Sequence, residues 1–119
     1  MMKIVHDEIQ IEESDLMDLD AALGKVIYAG IKAFREKANN STFVMIPTKL
    51  MRVLYPNRSA PYTDEEEETG RREWLNILEK MENAFIDSGN PEIVYAEDQR
   101  KARLEGRLLF ANYFDNLWS

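Results

Sequence analysis

Apolar residues return every three or four positions along three separate stretches of this chain. That period matches 3.6 residues per turn and commits most of the sequence to amphipathic helices. In the first stretch, Asp18 to Lys37, the recurring residues are Leu19, Leu23, Val26, Ile27, Ile31 and Phe34. Asp15, Asp18 and Asp20 crowd its start and Lys32, Arg35 and Lys37 its end, the charge order a helix dipole favours. The second stretch begins at Thr63, which stands three residues before Glu66 in capping-box spacing. Its stripe is Trp74, Leu78, Met81 and Phe85, broadened by Ile77 and Ala84, and Ser88-Gly89-Asn90-Pro91 terminates it. The third stretch runs from Glu97 to about Leu117.

These periods predict three long helices near 18–38, 63–88 and 97–118. They form a mainly α, compact three-helix bundle with a small β element or loop insertion. The chain's 119 residues suit one helical domain, 1–119, and leave no room for a second core. The expected core joins Leu23, Ile27, Ile31, Phe34, Trp74, Leu78, Met81, Phe85, Phe110 and Phe114. The last helix is the broadest. Phe110, Phe114 and Trp118 share one face, Leu109, Tyr113 and Leu117 the next, and more than half of its circumference is apolar. Such width places it at the centre of the bundle, the alternative being that it also meets a partner.

Outside the helices, residues 4–13 alternate loosely, with Ile9 and Ile11 on one side, as a short half-buried strand would. Phe43-Val44-Met45-Ile46 reads as a second short strand beside it, and Pro47-Thr48 opens a helical turn or two through Leu54. Tyr55 to Pro61 has the composition of a loop.

A net charge of −7 disfavours nucleic acid as a partner, since phosphates would meet a repulsive field. The early charges Lys3, Asp7 and Glu8 do not suit a signal peptide, and no apolar run is long enough for a membrane span. With no cysteine and a single histidine, His6, neither a thiolate nor a zinc site is available, and no HExxH, GxSxG or CxxC motif occurs. Among 22 carboxylates none is marked by spacing as an acid–base pair. The sequence therefore predicts no catalytic residue, no metal and no cofactor. The acidic cluster from Asp7 to Asp20 lacks the residue order of a calcium loop and reads as a solvated face with a helix cap. Asp64 to Glu68 reads likewise, with Glu67 and Glu68 four residues before Arg71 and Arg72.

Regular stripes and dipole-ordered charges account for the helices. They do not account for the segment 43–62, where Lys49, Arg52 and Arg58 stand with Tyr55 and Tyr62 among apolar residues. Loops on rigid scaffolds commonly carry binding residues, and arginine and tyrosine are enriched at binding hot spots. The candidate partner-binding set is therefore Lys49, Arg52, Tyr55, Arg58 and Tyr62, with Arg103 and Arg107 joined to it from the last helix. The competing account is that the segment caps the open end of the bundle.

Three blocks carry a resemblance: Leu19-Asp20 through Ile31 and Phe34; Trp74 with Leu78-Glu79-Lys80-Met81 and Ala84-Phe85; and Glu105-Gly106-Arg107-Leu108-Leu109-Phe110-Ala111-Asn112-Tyr113-Phe114-Asp115-Asn116-Leu117-Trp118. In this order the chain resembles a group of small uncharacterised tailed-bacteriophage proteins with an EGL.LFA.YF..LW-like terminal helix. The likeness spans the helices and leaves Thr42 to Arg58 as an apparent insertion. It implies a phage origin, a helical bundle and residence in the cytoplasm of an infected host, and it brings no catalytic residues. The expectation is a non-enzymatic protein–protein interaction protein that binds a host protein, a host–virus interaction that modulates a host or defence factor. The alternatives are an oligomeric sequestrant of a small nucleotide-like anion and a minor virion component.

Overall fold

The computed structural model describes residues 3–5, 8–40, 45–86 and 96–118. His6, Phe43, Val44 and the 88–91 terminator lie outside these residues. Two short strands, β1 (Lys3–Val5) and β2 (Glu8–Gln10), precede the helices α1 (Glu13–Met17), α2 (Leu19–Asn40), α3 (Thr48–Leu54), α4 (Asp64–Asn83) and α5 (Glu97–Tyr113). A 3₁₀ turn, Phe114–Asn116, follows α5. The fold is mainly α, with three long helices beginning where the periodicity put them; α4 gives way to a turn after Asn83 and α5 to the 3₁₀ turn after Tyr113, each about five residues before the expected end.

The hub is α4, and the reason lies at its own residues. Trp74, Leu78 and Met81 are its most deeply buried side chains, one on each successive turn. Ile77 and Ala84 widen the stripe, so α4 meets α2, α3 and α5 on different sides. Its start is fixed by the capping box: Glu66 N–H donates to Thr63 Oγ1 at 3.1 Å, and Thr63 N–H donates to Glu66 Oε1 at 2.9 Å. The core around it takes Ile31 and Ala38 from α2, Leu50 from α3 and Tyr113 from α5.

The expectation that the last helix is central is overturned. α5 packs on α4 through Gly106 and Tyr113 and leaves Leu104 and Leu108 about 60% exposed, at 58% and 61%, with Phe114 also exposed. A Cβ at Gly106 would stand 2.6 Å from the Cβ of Ala84 and directly against the Lys80 carbonyl oxygen. That glycine sets how closely α5 lies to α4. The single stripe read on α2 also divides. Ile27, Ile31 and Phe34 face α4, whereas Leu19, Leu23 and Val26 are exposed. Leu23 and Phe114 therefore leave the expected core.

A bidentate contact fastens α2 to α4, with Arg35 Nε donating to Glu82 Oε1 at 2.7 Å and Nη2 to Oε2 at 3.3 Å. Hydrogen bonding to the Glu82 carboxylate holds the Arg35 pKa above its ordinary value, while partial burial works against the shift. The β element differs from expectation in its partner. β1 pairs antiparallel with β2, Lys3 opposite Gln10, and Met45-Ile46 is not strand. Ile9 and Ile11 are more than half exposed, because among the described residues no helix packs against the two three-residue strands to bury a face. The whole is a slab of 51 × 42 × 23 Å.

Candidate functional site

The insertion-like segment contributes to the fold before it contributes to any site. Pro47 occupies the N-cap of α3, where its missing N–H leaves no orphan donor. Leu50 and Met51 then turn inward against α4, while Arg52 and Val53 point to solvent. Met51 fills the space over Gly70, where a Cβ would collide with its sulfur.

Between α3, the 55–62 loop and the first turns of α4 lies a groove of about 580 Å³, within the range of small-ligand sites. Ile46 and Met51 supply apolar surface, and Thr48, Ser59 and Tyr62 supply hydroxyls. Arg52, Arg58 and Arg71 bring three guanidiniums, against the single carboxylate of Glu67. Arg58 Nη2 reaches Glu66 Oε1 at 3.1 Å and the Pro61 carbonyl at 3.4 Å, so the capping carboxylate also anchors the loop. Arg52 and Arg71 enter no ion pair among the described residues. Tyr55 does not line the groove but packs on Tyr62, with ring centroids 6.1 Å apart and planes inclined at 40°.

The sequence-predicted set is thus divided. Arg52, Arg58 and Tyr62 share the groove, with Tyr55 behind Tyr62. Lys49 belongs to the scaffold: its ammonium donates to the Asn112 carbonyl oxygen and, at 3.0 Å, to Asn112 Oδ1. It also lies 4.6 Å above the centre of the Tyr113 ring. This cation sits where the last carbonyls of α5 favour positive charge. Arg103 and Arg107 stand apart, lining a cleft between α2 and α5 with Asp20, Leu23, Ile27 and Phe110. The Arg107 guanidinium there lies 5.4 Å from the centre of the Phe85 ring.

Arg71 is the groove residue that sequence reasoning passed over, as the i+4 ion-pair partner of Glu67. Neither Glu67–Arg71 nor Glu68–Arg72 is an ion pair among the described residues; Arg72 donates to Thr69 Oγ1 at 3.5 Å. The available signal was position. Arg71 is two turns into α4, on the side that carries Gly70 toward Met51. No group of three or more His, Cys, Asp or Glu residues is placed to hold a metal ion among the described residues. Among those residues, too, no helix is long and apolar enough to cross a membrane.

No protein-family model, no curated protein and no solved structure matches the chain.

Proposed function

We propose that this chain is a phage-encoded, non-enzymatic interaction protein that binds and modulates a host factor in the cytoplasm of the infected cell. Its contact surface is the groove between α3, the 55–62 loop and α4, and the partner segment is acidic with apolar neighbours. The observation that carries this reading is a groove whose three guanidiniums outnumber its carboxylates, Glu67 and the Glu66 that pairs with Arg58, in a chain of net charge −7. A local field opposite in sign to that of the molecule steers and orients an acidic partner. Among the described residues the ion pair at the groove is Arg58–Glu66, in which the guanidinium is half exposed and the carboxylate is held by the capping box, so Arg52 and Arg71 are the cations open to a partner. Ile46 and Met51 give apolar side chains of the partner a place to pack. The phage setting rests on the resemblance of the three helical sequence blocks.

A second reading, sequestration of a small nucleotide-like anion, is favoured by one feature. The Tyr62 ring, backed by Tyr55, stands in the same groove as the Thr48 and Ser59 hydroxyls and the arginines. Capture from host lysate by the tagged chain and by its Arg52→Glu/Arg71→Glu variant tests both. The first reading expects one host protein recovered in stoichiometric amount, falling about tenfold or more with the variant. The second expects an ultraviolet-absorbing small molecule that the variant loses. Equal recovery by both chains contradicts the groove as the site.

A further inference from the structure

α2 carries two apolar seams. Gly24, Ile27, Ile31, Phe34 and Ala38 face inward, all buried or half-buried. Leu19, Leu23, Val26, Gly30 and Ala33 recur at four and three positions, about 100° round the helix from the first seam. All five are exposed. Alternating steps of three and four are the spacing by which one helix packs along another. Among the described residues all five stay open to solvent in the monomer, Leu23 at the edge of the cleft that holds Arg103 and Arg107.

We propose that the second seam is covered by α2 of another copy of this chain, running antiparallel in a two-fold dimer. Three observations select that occupant. The seam is graded in size, with Leu19, Leu23 and Val26 in its first half and Gly30 and Ala33 in its second. Antiparallel pairing sets Leu23 against Ala33 and Val26 against Gly30, so large fills small at these two levels, with Leu19 opposite the aliphatic stem of Lys37; parallel pairing sets large on large and leaves a gap at glycine. At Gly30 an added Cβ would meet nothing within 4 Å among the described residues, so no contact there calls for glycine. Glycine in an open helix interior costs stability, and the close approach of a second helix gives it a use. The charges are graded as well. Asp18 and Asp20 stand at one end, and Lys32 and Lys37 outnumber Glu36 toward the other. Antiparallel copies bring unlike ends together, whereas parallel copies stack like on like. Leu16 and Met17 of α1, exposed beside Leu19, extend the apolar area toward that of a two-fold interface.

No residue of α2 lines the arginine groove, so the dimer and the groove are tested separately. Sedimentation equilibrium of the full chain is expected to give twice its 13.9 kDa mass. Val26→Glu, at an exposed position, should keep the helical circular dichroism and the melting temperature of the isolated chain while weakening association about tenfold or more. Gly30→Leu separates folding from pairing: leucine is the better helix former, so the monomer melts no lower, yet the dimer is lost. Because the chain has no cysteine, mixing Leu23→Cys and Ala33→Cys chains reads the register directly. Oxidation should join 23 to 33 in preference to 23 to 23. A single 13.9 kDa species up to about 1 mM overturns the proposal. So does unchanged association in both Val26→Glu and Gly30→Leu, or cross-linking of 23 to 23 alone.

Discussion

Lys49 and Arg52 lie three positions apart on α3 and have opposite assignments. The Lys49 ammonium is spent on Asn112 and the Tyr113 ring, at the end of α5, while Arg52 is exposed at the groove. Lys49→Ala should therefore destabilise the fold by about 1–2 kcal/mol, the sum of a cation–ring contact and a charged hydrogen bond. Partner capture should persist below the lowered melting temperature, and denaturant melts paired with capture assays check both. Nothing near Lys49 in sequence reveals this, because its partners are 63 residues away. Tyr113 adds a pH dependence. Burial first, and the Glu73 carboxylate second, raise its phenol pKa above the ordinary value of about 10. The folded state then holds the phenolic proton more tightly than the unfolded chain. This stabilisation is complete below the unfolded pKa and is lost as pH rises through the folded one. Between pH 9 and 11, roughly, melting temperatures should fall less for Tyr113→Phe than for the natural chain. Parallel curves would remove the burial argument.

Helix existence was legible in the chain, and helix facing was not. The α4 stripe and its capping box follow from Trp74, Leu78, Met81, Thr63 and Glu66, because one face of that helix is apolar and the other densely charged. On α2 the apolar arc spans both Leu23 and Ile27, and periodicity alone does not choose which edge turns inward. On α5 the arc is broader still. The small residue decided it: Gly106 admits the α4 backbone, so the face with Gly106 and Tyr113 went inward and Leu104 and Leu108 remained outside. Gly106→Ala tests this at the element scale. Alanine propensity alone would stabilise an open helix by about 0.5–1 kcal/mol. Here the added methyl meets Ala84 and the Lys80 carbonyl, and overpacking should cost about 1–3 kcal/mol, read as a lower denaturant midpoint. A raised midpoint would mean that α5 moves away freely.

At the scale of the molecule, α4 organises a slab in which α2 and α5 each keep an apolar face outside and α3 builds a basic groove near one end. Within the segment 43–62, the described residues 45–62 do what the capping account expected of them. Leu50 and Met51 close the core, and Arg52, Arg58 and Tyr62 are held at the surface by that closure. Its half of the candidate site was readable from the mixture of arginine and tyrosine that folding did not need. Arg71 was not, since it joins the groove only through the packing of α3 on α4. Arg103 and Arg107 were placed with the loop by charge alone, and they line a different cleft.

Hydrogen–deuterium exchange of the chain, free and saturated with the host protein it captures, tests the central claim most directly. Exchange resolves binding residue by residue and does not depend on any substitution folding well. The account predicts new protection over 45–62 and the first two turns of α4, through Arg71, with the outer face of α5 at Leu104 and Leu108 unchanged. Protection centred on α5 or on the α2–α5 cleft, with the groove exchanging as in the free protein, would contradict it.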